Sequence, residues 1–280
     1  MPKSITPIKG WPTGVRAAFT TRGLGCELVQ PAVATGRTDF EGLNLGFHVG
    51  DEPARVQSHR DALEQAIGAK PIWLNQVHGA ALLRVDDTQL SMRQGAAEGP
   101  PTGLPAVDAL ITNQSGQAAC IMAADCLPVL AATADGQWVG AAHAGWRGLA
   151  AGVLENLMRG LQVAMTEARA AGGPAHPSIM VWLGPCIGPK AFEVGAEVLE
   201  AFGLQTSDAL VQSSHRPQHF YLDLAGLAAR RLQDWAREHG VALDLRTEDQ
   251  ACTWSNPGAF YSHRRAAPCG RMAFLIWREA

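Results

Sequence analysis

The chain has 280 residues, 47% of them hydrophobic and 18% charged, with a formal net charge of -3 and a pI near 6.3. That length and balance exclude a disordered or fibrous protein and allow a large buried core. There is no basic footprint for nucleic acid and no Lys/Arg cluster beside an amphipathic stretch for a membrane, so a small polar or anionic ligand is the expected partner.

The N-terminal stretch MPKSITPIKGWPTGVRAAFTTRG is interrupted by Pro2, Pro7 and Pro12, unlike the apolar core of a signal peptide, and a cytoplasmic location is expected. Residues 23–46 combine Gly and Pro without periodicity, as do residues 91–106, so both are expected as surface loops within a single domain spanning 1–280. A helix is expected from Asp51 as N-cap, with Pro53 in its first turn and Val56, Leu63 and Ile67 turned inward. At about 100° per residue, Arg60 projects about 40° from Val56, on that same inward face. Its guanidinium therefore needs a partner, either a buried carboxylate or a bound anion.

Strand-length apolar runs follow at Ala80–Val85, Val107–Ile111, Ala119–Leu130, Trp138–Ala142, Ile179–Leu183 and Met272–Trp277. The longest apolar stretch, Ala118–Ala134, is broken by Asp125, Cys126 and Pro128 and reads as core rather than a membrane span. After GWRGL, residues Leu149, Val153, Leu157, Leu161 and Met165 recur every four positions, predicting a helix that stops at Gly172 and Gly173. Further helices are expected over Glu193–Phe202 and Leu222–Glu238, giving a mixed α/β fold. The six cysteines, Cys26, Cys120, Cys126, Cys186, Cys252 and Cys269, contain no C-x-x-C pair and are expected mostly as buried, reduced thiols.

Three segments put metal-competent side chains at the ends of apolar runs: His78 before Gly79, Cys126 in ADCLP, and His143 before AGWRG. Small neighbours leave room around each, and Gly79 and Gly145 let the backbone turn away. Two imidazoles and a thiolate suit Zn²⁺ and leave a fourth position open for water or substrate. The same ligand set suits copper, with Met122 as a conceivable axial ligand, and the same residue types suit a metal-free cysteine hydrolase with Cys126 as nucleophile.

LNQVHG at 74–79, ADCLPVL at 124–130, AAHAGWRG at 141–148, LGPCIGPKAFEVGAEV at 183–198 and FYSHRR at 260–265 occur in this order. In these motifs the chain resembles the laccase-domain, or multicopper polyphenol oxidoreductase, family from about Thr20 to Trp277. The resemblance implies a layered α/β sandwich with mixed sheets inside and helices outside. It also implies zinc on His78, Cys126 and His143, and phosphorolysis of adenosine, inosine or methylthioadenosine with adenosine deamination as a second activity. Departures from the family pattern are a longer loop ahead of NLG, His263 at a usual Tyr, Cys269 at a usual Thr, and no Asn within DLAGLAARRL.

Phosphorolysis brings a dianion to an anomeric carbon while charge develops on the leaving purine, so cations are needed at two points. Arg60 and Arg147 are the candidates for catalysis and substrate binding. Arg147 and the N–H groups of Gly148 and Leu149 can form an anion pocket, or Arg147 can simply pack on Trp146. Asn44, in the GLNLG turn, can hydrogen-bond ribose or base, or stabilise the turn. Asp125 is not assigned as a general base, because strand alternation turns it away from Cys126. Against sustained multicopper chemistry, the nine histidines include no H-x-H element.

Overall fold

The computed structural model describes residues 2–24, 28, 40–86, 106–170, 177–247 and 251–279. The two strands β1 (Ile5–Ile8) and β2 (Val15–Thr20) form an antiparallel pair that sequence periodicity does not announce. Helix α1 (Pro53–Ile67) follows, then β3 (Lys70–Ile72), β4 (Leu82–Val85), β5 (Ala109–Thr112), β6 (Gln117–Ala123), β7 (Leu127–Thr133) and β8 (Val139–Ala144). Next come α2 (Trp146–Ala150), α3 (Val153–Ala170), β9 (Ser178–Leu183), β10 (Glu193–Gly195) and α4 (Ala196–Ala201). The chain ends with β11 (Val211–Ser213), β12 (His219–Leu222), α5 (Leu224–His239), β13 (Ala242–Thr247) and β14 (Met272–Arg278).

These strands build two large mixed sheets, one of order β1-β2-β14-β6-β3 and one of order β13-β9-β7-β8-β5-β4, with a small β10-β12-β11 sheet beside them. The burial pattern explains why the strand runs are apolar without alternation. On β6, Ala119 and Ile121 pack between the sheets, whereas Ala118, Cys120 and Met122 face the layer that holds Leu63 and Ile67 of α1. On β7, Leu130 and Ala132 face the inter-sheet core, while Val129 and Ala131 face Leu157 and Leu161 of α3 and Leu232 of α5. Successive side chains point to opposite faces and both faces are covered, so every position favours an apolar residue. The result is a layered sandwich of mixed sheets with helices outside, its centre filled by Phe19 stacked on Trp182 and on Phe274 at 5.9 Å each.

Several local expectations change. The run Ala119–Leu130 is two strands belonging to different sheets, because Asp125 at φ 94 turns the chain between them. The helix after GWRGL is broken at Gly152, whose φ of 93 favours glycine, so Leu149 lies on α2 and Val153, Leu157 and Leu161 on α3. Its expected stop at Gly172 and Gly173 lies outside the described residues. The N-cap of α1 is Glu52, and Asp51 instead binds Asn44 and Arg55. Residues 193–195 pair as a strand with β12, leaving α4 shorter than the expected helix. The loop expected over 91–106 lies outside the described residues up to residue 105, as does most of 23–46. Of the described residues in 23–46, residues 40–46 do not form a surface loop, since Phe40, Leu43, Asn44 and Leu45 are all buried, whereas Leu24 is exposed.

Candidate active site

The seam between the two large sheets brings the three metal-competent side chains together. Cys126 lies where the chain leaves β6 and enters β7, and His143 lies near the end of β8 at the β7 partner position of Pro128. His78 lies in the segment between β3 and β4, at a φ of 60 that a non-glycine residue adopts only when its surroundings enforce it. One ligand atom from each of the three falls within 4.8 Å of the others. The Cys126 Sγ to His78 Nε2 separation is 3.8 Å, and the two imidazoles meet edge-on at 75°. Tetrahedral metal bonds of about 2.1 Å to nitrogen and 2.3 Å to sulfur put the two ligand atoms about 3.5 Å apart, so the trio fits an ion with small adjustment.

Asp108, at the head of β5, organises the trio. Its carboxylate accepts the backbone N–H groups of Val77, His78 and Gly79 at 3.1, 3.0 and 2.7 Å and sits 2.8 Å from His143 Nδ1. These bonds hold the His78 segment in its strained conformation and orient the His143 ring, which also bonds the Cys126 side chain. Burial pushes the Asp108 carboxyl up, but the His143 bond and the Gly79 and Val77 N–H groups outweigh it and hold the group below the usual carboxylate range. Burial likewise opposes ionisation of Cys126, yet the neighbouring imidazoles of His143 and His78 pull its thiol down toward the thiolate that binds metal. Sequence reasoning missed Asp108, although a carboxylate inside the apolar run Val107–Ile111 was the available signal.

Gly145 is required for space rather than for turning. A Cβ there would stand 2.9 Å from His78 Cδ2 and 3.0 Å from Cys126 Sγ.

Asp125 occupies the sheet-switching turn, so strand alternation does not set its direction. Its carboxylate accepts Thr253 Oγ1 at 2.6 Å, Ser262 Oγ at 3.0 Å and the Arg264 N–H at 2.7 Å. These three bonds tie residues 253–264 to the seam.

The trio opens on a cavity of ≈ 320 Å³. Trp146, Ile187, Phe192 and Leu224 supply apolar lining, and His48, His263, Arg264 and Arg271 supply polar or cationic lining. Gln76 also lines it, but its amide is spent on the backbone N–H and carbonyl of Met122, each at 2.7 Å.

The other expected residues lie around this cavity and not on its wall. Arg60 is buried with its guanidinium between the rings of Trp73, at 3.8 Å, and Phe47, at 4.4 Å, donating to the Leu45 carbonyl at 2.9 Å and approaching Met122 Sδ at 3.7 Å. Among the described residues no carboxylate, the first of the two expected partners, pairs with it; the aromatic faces and a backbone oxygen compensate the charge. Arg147 is exposed and stacks at 4.2 Å on Trp146, itself a wall residue. Asn44 is buried in its turn, where Oδ1 accepts from Gly46 and Arg271 N–H groups and Nδ2 donates to Asp51. Of the cations on the wall, Arg264 belongs to the FYSHRR motif at 260–265, which by itself assigns it no role, and nothing local separates Arg271 from other arginines near the C-terminus.

Fold and site together define a mixed α/β protein carrying a His/Cys/His group able to hold a metal ion beside a small-molecule cavity. Comparison with known proteins gives the family. The chain belongs to the multi-copper polyphenol oxidoreductase laccase family, whose sequence model matches residues 16–279. It is 38% identical over 278 residues to a purine nucleoside phosphorylase of Pseudomonas aeruginosa, covering 98% of each chain, and 37% identical over 279 residues to the purine nucleoside phosphorylase YfiH of Escherichia coli, covering 99% of each. Among solved structures it is similar to a Neisseria meningitidis protein, with a TM-score of 0.78, 31% identity and coverage of 99% of this chain and 100% of the other. YlmD from Geobacillus stearothermophilus is similar with a TM-score of 0.76 and 28% identity over 96% of this chain and 93% of that one.

Proposed function

We propose that this chain is a zinc-dependent purine nucleoside phosphorylase acting on adenosine, inosine and methylthioadenosine, with adenosine deamination as a second activity. The observation that carries this reading is the metal-competent trio placed on the wall of a cavity of ≈ 320 Å³ that also offers apolar faces and cations. Small-molecule sites of about 300 Å³ and upward with this mixture of linings are the usual form of an enzyme cleft. The names of the relatives support its phosphorylase part.

His78, Cys126 and His143 would hold the zinc, which when bound supplies Lewis acidity beside the reacting sugar or base. Trp146, Phe192, Ile187 and Leu224 present apolar surface to the purine and keep water from its faces. A phosphate oxygen forms its bond to the anomeric carbon as the bond from that carbon to the purine nitrogen breaks. The electron pair leaves with the purine, and the proton of hydrogen phosphate ends on the base.

Arg60, Arg147 and Asn44 serve substrate binding in this reading from behind the wall. Arg60 places a cation beneath Met122, Arg147 holds the face of Trp146, and Asn44 holds the backbone of Arg271. The chain is read as one catalytic domain working in the cytoplasm, consistent with Cys120, Cys126, Cys186, Cys252 and Cys269 all being free.

Copper on the same trio is the second reading, favoured by the family's description. Against several coppers, the described residues contain one group of three metal-competent side chains. Elemental analysis with a nucleoside panel, run with and without phosphate, tests the proposal. About one zinc per chain and phosphate-dependent release of a sugar 1-phosphate support it. Full turnover by chelator-treated protein, or a covalent adduct on Cys126, would instead establish a metal-free cysteine enzyme.

A further inference from the structure

Arg264 and Arg271 share a feature that distinguishes them from most other described arginines. Both line the cavity, and neither makes an ion pair among the described residues, whereas Arg55, Arg84, Arg216, Arg230, Arg231, Arg237 and Arg246 all pair with carboxylates. Their side chains are anchored by neutral acceptors instead. Arg271 Nη1 donates to the carbonyls of Cys269 at 2.8 Å and Gly270 at 3.2 Å, and its backbone N–H is fixed by Asn44 Oδ1 at 2.9 Å. Arg264 Nη1 donates to the carbonyl of Glu193 at 2.8 Å, with its guanidinium 5.8 Å from the centre of the Phe192 ring and its backbone N–H on Asp125.

Each anchor uses Nη1 alone. Nε and Nη2 of both residues have no described protein acceptor, and none of them is sealed in the interior. Two guanidinium groups are therefore held in place without an ion-pair partner among the described residues and with Nε and Nη2 unspent. The carboxylate on the same wall, Asp125, takes the Arg264 backbone N–H and the hydroxyls of Thr253 and Ser262 rather than either guanidinium, and the Cys126 sulfur lies 3.8 Å from His78 Nε2. Burial first, and then the nearby cations of Arg271 and Arg60, lower the imidazole of His48 to about 4.

A cavity with two pre-positioned, unpaired guanidinium groups is built for a dianion, because planar forks of N–H donors match phosphate oxygens and their immobilisation lowers the entropy cost of binding. We infer that Arg264 and Arg271 form the clamp for the phosphate co-substrate, Arg271 as its fixed inner member and Arg264 as its outer one. The assignment rests on the phosphorolysis reading. It gives Arg60 and Arg147 supporting places, because neither guanidinium lies on the wall.

The test uses inorganic phosphate as probe, on the metal-loaded full chain. Phosphate binding is measured by calorimetry without nucleoside, and the Michaelis constants for phosphate and inosine are measured separately, for the wild type, Arg264→Gln, Arg271→Lys and Arg271→Gln. The expected result is at least a tenfold weaker phosphate affinity and a matching rise in the phosphate constant for both Gln variants, with the inosine constant within about twofold and metal content unchanged. Arg271→Lys should recover part of the phosphate affinity, since it keeps a charge without the fork. Arg264 is exposed, so its Gln variant should fold even where Arg271→Gln does not. Phosphate affinity unchanged in Arg264→Gln and Arg271→Lys, or inosine and phosphate constants rising together, overturns the clamp. A wild type that binds phosphate through these arginines but phosphorolyses no nucleoside supports the clamp and removes the proposed activity instead.

Discussion

Asp108 and His143 are joined at 2.8 Å through the imidazole Nδ1, while the same carboxylate gathers three backbone N–H groups of the Val77–Gly79 segment. One buried carboxylate thus sets the orientation of two of the three metal-competent side chains. Asp108→Asn keeps the shape but replaces one acceptor oxygen with a donor facing N–H groups. Metal affinity should fall about 10- to 100-fold, as it does when an outer partner of a ligating histidine is lost. Competitive titration against a chelator measures it, and unchanged affinity would remove Asp108 from this role. The variant should also respond differently to acid. A carboxyl lowered by folding contributes stability fully present above about pH 4 and lost as pH falls through its folded value, so the Asn variant should show a flatter decline on acidification.

Gly145→Ala probes the space between ligands. The backbone at φ -65 and ψ 157 accepts alanine, but the new methyl meets His78 and Cys126 at 2.9 and 3.0 Å. The expected outcome is a clear loss of metal affinity with the melting temperature of the metal-free protein nearly unchanged. Retention of full metal content would mean that the two side chains can separate without cost.

Arg60→Met removes a guanidinium held between two rings and leaves the Leu45 carbonyl without its donor. Stability should drop by about 1–3 kcal/mol, the combined scale of a buried cation–π contact and an orphaned acceptor. Activity should fall as well when assayed below the melting range. A destabilised variant with normal turnover would confine Arg60 to folding.

Asp125→Ala strands the donors of Thr253, Ser262 and Arg264 at once. Stability should fall by about 2–4 kcal/mol, and limited proteolysis should cut first within residues 253–264, which lose their tie to the seam. Metal binding by the trio should survive. If proteolysis is unaltered, another contact holds that segment.

Cys126 distinguishes a ligand from a nucleophile. In metal-loaded protein its sulfur should resist alkylation, and chelation should expose it and abolish activity together, with zinc restoring both. Cys126→Asp should keep weak metal-dependent turnover, since a carboxylate can ligate but cannot form a thioester. Activity that persists after chelation and vanishes on alkylation would reverse the assignment.

The sequence by itself determined what depends on local pattern and on dense motifs. The four-residue recurrence of Val153, Leu157 and Leu161 marks a buried helical face, though not the break at Gly152 that puts Leu149 on another helix, and the apolar runs mark strands covered on both sides, because periodicity reports which faces meet water. His78, Cys126 and His143 stood out because a chemically competent residue at the end of an apolar run among small neighbours has little packing to do. Tertiary structure decided what depends on residues far apart in the chain. Asp125 sends one apolar run into two sheets, and its partners lie at Thr253 and Ser262. Asp108 reaches across to His143 and Val77, Asn44 reaches Arg271, and Arg60 finds Trp73 and Phe47 instead of a carboxylate. A buried polar group must find a partner, but its sequence position does not say which one; only the closure of the two sheets against each other brings those partners within hydrogen-bonding distance.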